Sequence, residues 1–128
     1  MVTGTRAEYG LLRTVMSAIK RHPSLRLEVV ACGMHLLRKF GYTIRDIEAD
    51  GWRIDACVRM QSGSSDDLDQ AEGLAKGVSG IAKYLCQAKT DIVVVLGDRV
   101  EAMAGALAAD STMYGGRTFL AGVDFIQS

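Results

Sequence analysis

Proline is nearly missing from this sequence, with Pro23 its single instance, and neither sign of charge predominates. Against an apolar content of 48%, that scarcity excludes a disordered, proline-rich chain and leaves a folded globular one. Lys and Arg total 15, as do Asp and Glu. No long-range field therefore draws the chain to nucleic acid or to an anionic membrane, and any recognition of phosphate has to be local. The three cysteines, Cys32, Cys57 and Cys86, are odd in number and lack metal-ligand spacing. Each lies in an apolar segment, which predicts reduced, buried thiols and no metal. The longest apolar run, residues 92–96, is far too short to span a bilayer, and no N-terminal stretch joins basic residues to an apolar core. A soluble, cytoplasmic protein is expected. At 128 residues the chain fits one small domain, about half the size of a two-lobed enzyme.

Helix and strand patterns alternate. Residues 1–3 make a strand stub, and Leu12, Val15, Met16 and Ile19 repeat at helical spacing over 7–21 until Pro23 stops the pattern. Residues 25–32 are short and β-branched, so they read as a strand. A second helix pattern covers 36–50, where Gly41 either ends a first piece or marks a close approach. Residues 54–58 form another short strand, and the polar loop 61–67 offers Ser65 as an N-cap. Over 67–88, Leu68, Ala71, Ala75, Val78, Ala82 and Leu85 build one apolar helical face. The unbroken apolar run 92–96 suits a parallel strand buried on both sides, and an alanine-rich helix follows over 100–109. Strands separated by helix-length segments predict an α/β fold, a Rossmann-like parallel sheet flanked by helices.

Ligands of open α/β sheets bind beyond the carboxyl ends of the strands, where three loops stand out. The first, Gly4-Thr5-Arg6-Ala7-Glu8, opens a helix; glycine admits close backbone approach, the helix end offers N–H groups, and Arg6 adds a fork for phosphate oxygens. It matches neither standard phosphate-loop pattern, so an ordinary strand-to-helix turn stays open. In the second, Gly97-Asp98-Arg99-Val100-Glu101, Asp98 is either a general acid or base or the cap of the next helix. Arg99 and Glu101 read there as surface residues. The third places His35 at the end of the second strand, facing the same crevice or serving as an ordinary polar loop residue.

The stretches TGTRAEYGLL (3–12), GMHL (33–36), IEADG (47–51) and VLGDRVEA (95–102), in this order, resemble the hydrolysing UDP-N-acetylglucosamine 2-epimerases. The resemblance runs from Val2 to Ala109, and GTRAEYG with GDRVEA favours the hydrolysing branch over the one whose first loop reads GTRPE. It implies two Rossmann-like lobes in a glycosyltransferase-B-like arrangement, of which this chain resembles part of one. It further implies elimination of UDP to a 2-acetamidoglucal and addition of water to release N-acetylmannosamine, the start of sialic acid synthesis, with no cofactor or metal. By resemblance, Asp98 is catalytic, while Gly4, Thr5, Arg6, Glu8, His35 and Arg99 bind UDP or the UDP-sugar.

The family has several apolar residues before its first loop, a HIHGGD-type loop after the position of Ala109, and a second domain; none of these is matched here. The expectation is a partial epimerase domain over 1–109 and a divergent segment over 110–128. Such a domain would be inactive alone and would bind UDP or phosphate weakly at most. The alternative is a structural or oligomerisation module whose epimerase-like loops are idle. Phe119, Leu120 and Val123 predict an added strand over 118–123, within the chain or across the interface of a homodimer.

Overall fold

The computed structural model describes residues 1–38, 41–64, 66–112 and the backbone of 117–121. Strand β1 (Val2–Thr3) pairs in parallel with β2 (Val30–Cys32), and β2 with β3 (Ala56–Val58). Strand β4 (Ile92–Leu96) pairs in parallel with the backbone of β5 (Arg117–Ala121), Ile92 opposite Arg117. The ladders make two sheets, β1-β2-β3 and β4-β5, and because β1 packs beside β4 the strands lie side by side as β3-β2-β1-β4-β5. Alternation along the strands divides the core. Val30, Cys32, Val93 and Val95 face Ile81, Leu85, Ala104 and Ala108, whereas Val29, Ala31 and Leu96 face Tyr9, Leu12, Met16 and Ile47. Helices thus cover both sides of a parallel sheet, the arrangement expected of an α/β chain.

Helix α1 (Arg6–Arg21) begins in a capping box: Thr5 Oγ1 accepts from the Glu8 N–H at 3.4 Å, and the Glu8 carboxyl accepts from the Thr5 N–H at 3.0 Å and from the Gly4 N–H. Two groups of N–H donors without helical partners are satisfied reciprocally. Tyr9, Leu12 and Met16 are buried along it, but Val15 lies outside, 43% exposed.

Three expectations are corrected. Strand β2 is shorter than residues 25–32 because β1 offers only Val2 and Thr3 as partners. Of the expected helix over 36–50, the described residues form helix α2 (Ile44–Ala49); a 3-10 turn, Gly33–Leu36, comes before it, with Gly41 between them at φ +82°. Lys39 and Phe40 of that stretch lie outside the described residues. Two of the three thiols are not buried: Cys57 is on the open edge strand β3 and Cys86 on the outer side of helix α3 (Asp67–Ala88).

Helix α3 begins at an Asp66 cap, whose side chain accepts from the Asp69 N–H at 2.7 Å; Ser65, the cap expected, lies outside the described residues. Its bounds agree with the expected ones, but its buried face agrees only toward the C-terminal end. Leu85 is buried as expected, with Val78 and Ala82 packed partly buried against the same core, but Leu68, Ala71 and Ala75 are exposed, and Gly73, Gly77 and Ile81 are buried. A methyl at Gly77 would lie 2.5 Å from Met60 Cε and 2.9 Å from Ala104 Cβ, and one at Gly80 would lie 2.5 Å from Val58 Cγ1. The helix sits too near the sheet and its neighbour for larger side chains. That neighbour, α4 (Val100–Thr112), starts two residues beyond Asp98, so Asp98 is not its cap. Of the expected strand over 118–123, Gly122 and Val123 lie outside the described residues, as do residues 113–116 and 124–128 of the C-terminal segment.

Candidate functional site

Leaving β1 the chain turns toward β2 and β3, while β4 and β5 lie on its other side, so the loops after β1 and β4 flank the topological switch point of the sheet. That crevice is where such sheets receive ligands. The first loop lies there. Its Gly4 carbonyl accepts from the His35 N–H at 3.2 Å, tying it to the turn that follows β2.

Glu101 joins the remaining pieces. It was expected at the surface; the structure corrects this, since its side chain is wholly buried. A methyl at Gly4 would overlap its Cβ and Cγ, and a methyl at Gly33 would stand 2.5 Å from its Cγ and 2.8 Å from its Oε1. Helix α4 therefore inserts its second residue into the space that two glycines leave, one from each neighbouring loop. The carboxyl is partnered by Gln61 Nε2, which donates to Oε1 at 2.9 Å, and by Arg99 Nε, 3.3 Å from Oε2. Gln61 belongs to the loop after β3, held in turn by the Asp69 carboxyl, which accepts from the N–H and hydroxyl of Ser62 at 2.7 and 2.6 Å. Among the described residues, Gln61 Oε1 is a buried acceptor without a partner.

Glu8 stands on the other side of Gly4. Burial pushes its carboxyl up to about 7; Glu101 nearby adds to the rise, while the Gly4 and Thr5 N–H groups and Arg99 oppose it. Gly97 comes close by, at φ +96°, with Glu8 Oε2 3.9 Å from where a methyl would lie.

His35 is fully buried. Its Nε2 shares a hydrogen bond with Thr3 Oγ1 at 2.9 Å and its Nδ1 with Thr43 Oγ1 at 2.8 Å, and Tyr9 meets the ring edge-on. Burial lowers its pKa to about 4, although Glu101 and Asp46 pull the other way, so the ring is neutral near pH 7. With both nitrogens engaged it forms the floor beneath the first loop. Arg6 and Asp98 are exposed on the same edge of the sheet. Arg6 pairs across to α2, its Nε 3.5 Å from Asp46 Oδ2. Arg99, half-exposed, extends its Nη2 to within 3.0 Å of Met34 Sδ.

The fold thus assembles Gly4, Thr5, Glu8, His35 and Arg99 around Glu101, with Arg6 and Asp98 on the solvent side. Glu101 and Gln61 were not among the sequence candidates. The legible signals were the glycines at 4 and 33, which mark close approach, and the Thr5-x-x-Glu8 spacing of a capping box. Among the described residues no group of three or more His, Cys, Asp or Glu is placed to hold a metal ion, and no helix is long and apolar enough to cross a membrane. Two open cavities of about 780 and 840 Å³ lie elsewhere. One runs along β3 and α3, and the other lies at the amino ends of the strands, beside Leu25, Glu28 and Ile92.

A family profile described as UDP-N-acetylglucosamine 2-epimerase matches residues 17–114. The chain is 32% identical to a hydrolysing UDP-N,N'-diacetylbacillosamine 2-epimerase of Legionella pneumophila, over 84% of its own length and 29% of that protein's. Its fold superposes on a crystal structure of a UDP-N-acetylglucosamine 2-epimerase with a TM-score of 0.74 at 21% identity, over 95% of this chain and 31% of the other. It also superposes on the Neisseria meningitidis UDP-GlcNAc 2-epimerase bound to UDP-GlcNAc, with a TM-score of 0.71 at 20% identity, over 93% and 30%. The chain spans about a third or less of the length of each of these proteins.

Proposed function

We infer the function from one premise: the chain belongs to the UDP-N-acetylglucosamine 2-epimerase family, of which it represents the N-terminal portion. On that premise it supplies the diphosphate-side wall of a UDP-sugar site. Arg6 and Arg99 receive the diphosphate beside Gly4 and Thr5, and Asp98 serves as one acid/base carboxyl. The family reaction removes the proton at C2 of the sugar and breaks the C1–O bond to UDP, leaving a C1–C2 double bond. Water then adds, its hydroxyl to C1 and a proton to C2, and the free sugar departs. The elimination needs a positioned base and a stabilised UDP leaving group, and the addition needs an acid to deliver the proton to C2.

The observation that carries this reading is the Glu101 wedge, through which the loops after β1, β2 and β4 share one rim. One wall of a site gives weak binding and no turnover, since losing members of a catalytic set costs orders of magnitude in rate. In calorimetry, the 128-residue chain is expected to bind UDP with a Kd of roughly 1 mM, and Arg6→Ala to weaken it about tenfold, the share of one charge-assisted contact. Release of UDP from UDP-N-acetylglucosamine is expected to stay at the uncatalysed rate. Turnover by the chain alone would remove the one-wall reading.

A second reading has its own support. Glu8 already accepts from the Gly4 and Thr5 N–H groups, and Asp46 already pairs with Arg6. Donors so engaged suit a structural or homodimer-forming module with idle loops. No saturable UDP binding, and no difference between wild type and Arg6→Ala, would favour that reading.

A further inference from the structure

We propose that Glu101 is a positioning residue for diphosphate recognition, holding the Arg99 guanidinium at the rim while it spaces the Gly4 and Gly33 loops. The proposal rests on the UDP-binding reading above and adds to it a residue that touches no ligand itself.

Packing alone does not call for a carboxyl at this place. An apolar side chain could fill the space left by the two glycines, and burying an acidic group is costly unless it is paired and hydrogen-bonded. Its acidity is explained by what it holds. Arg99 is one residue outside the start of α4, so the helix itself does not orient its long side chain. Glu101 Oε2 takes it by Nε, 3.3 Å away, which leaves the far edge of the guanidinium directed outward. Among the described residues that edge meets a weak acceptor, Met34 Sδ, 3.0 Å from Nη2. A phosphate oxygen is a far better partner and would displace the thioether. The second carboxyl oxygen is fixed by Gln61, so the tether cannot swing without disturbing the loop after β3. A guanidinium gripped through Nε presents a planar pair of donors, and a lysine could not be gripped in this way.

The test is a double-mutant cycle read by UDP calorimetry on the intact chain. Glu101→Gln keeps the shape and the Gln61 contact but loses the grip on Arg99. It and Arg99→Ala are each expected to weaken UDP about tenfold, the scale of one charge-assisted contact. Because they act through one interaction, the double variant should bind no more weakly than Arg99→Ala alone, which a purely structural role for Glu101 would not produce. Should Glu101→Gln fail to fold, Arg99→Lys decides: charge is retained, the fork is lost, and affinity must fall as far as in Arg99→Ala. Wild-type affinity in Glu101→Gln, additive losses in the double variant, or wild-type affinity in Arg99→Lys overturns the positioning role and leaves UDP binding intact. Absence of UDP binding in the wild type overturns the earlier reading, and this proposal with it.

Discussion

Gly33 holds a φ of +58°, and a methyl there would press on Glu101 Cγ and Oε1. Gly10, on the outer side of α1, has nothing within 4 Å of such a methyl. The same substitution should therefore have opposite signs at the two positions. Gly33→Ala is expected to cost about 1–3 kcal/mol from backbone strain and crowding together. Gly10→Ala is expected to gain about 0.4–1 kcal/mol, because it removes freedom from the unfolded chain in a conformation alanine favours. Urea unfolding of both variants checks the pair; equal effects would mean that the wedge of Glu101 is not tight. At this scale the sequence was partly legible. Arg6, Asp98 and His35 were identified as loop residues on one edge of the sheet, but the partners that fix the loops were not. An acid near the start of an exposed-looking helix carries no mark of burial, and the residues that bury Glu101 are remote from it in sequence.

Helix α3 shows what element-level reading can and cannot do. Its ends were legible because a polar loop precedes it and an apolar strand follows. Its orientation was legible only at Val78, Ala82 and Leu85, because apolar periodicity also counts the exposed Leu68 and Ala71 as core and assigns glycine no preference. The structure instead turns Gly73, Gly77 and Gly80 inward, where absent side chains let the helix approach Gln61, Met60 and Val58. Gly77→Ala should be the informative substitution. Helix propensity alone would make it stabilising by about 1 kcal/mol, yet crowding against Met60 and Ala104 should exceed that, for a net loss of about 1–2 kcal/mol. A raised thermal midpoint would show that Met60 moves aside freely. The short β2 teaches the complementary lesson: residues 25–29 have strand-like composition, but a ladder needs a partner, and β1 supplies two residues of one.

Across the whole molecule, two buried groups at the switch point make opposite demands on pH. The Glu8 carboxyl is raised from 4.5 to about 7, so the folded state holds its proton longer than the unfolded chain does. Its contribution is fully present below pH 4.5 and is lost as pH rises through 7. His35 is lowered from 6.5 to about 4, so there the unfolded chain takes the proton first and stability is lost as pH falls from 6.5 to 4. Between about pH 4.5 and 6.5 the two slopes have opposite signs, each at most about 1.4 kcal/mol per pH unit, and they largely cancel. Other shifted groups act mainly outside that window. Asp50, lowered chiefly by the Tyr9 hydroxyl, matters below its ordinary range, and the Met1 amine, lowered by burial to about 6, matters between 6 and 8. Stability of the 128-residue chain should accordingly be nearly flat from pH 4.5 to 6. Glu8→Gln keeps an oxygen to accept from the Gly4 and Thr5 N–H groups but cannot titrate, so it should expose the His35 slope. Denaturant titrations at half-unit pH steps should then show the variant losing about 1 kcal/mol per pH unit on acidification while the wild type does not. Parallel profiles for the two proteins would mean that the Glu8 carboxyl is not held in its protonated form beside the first loop.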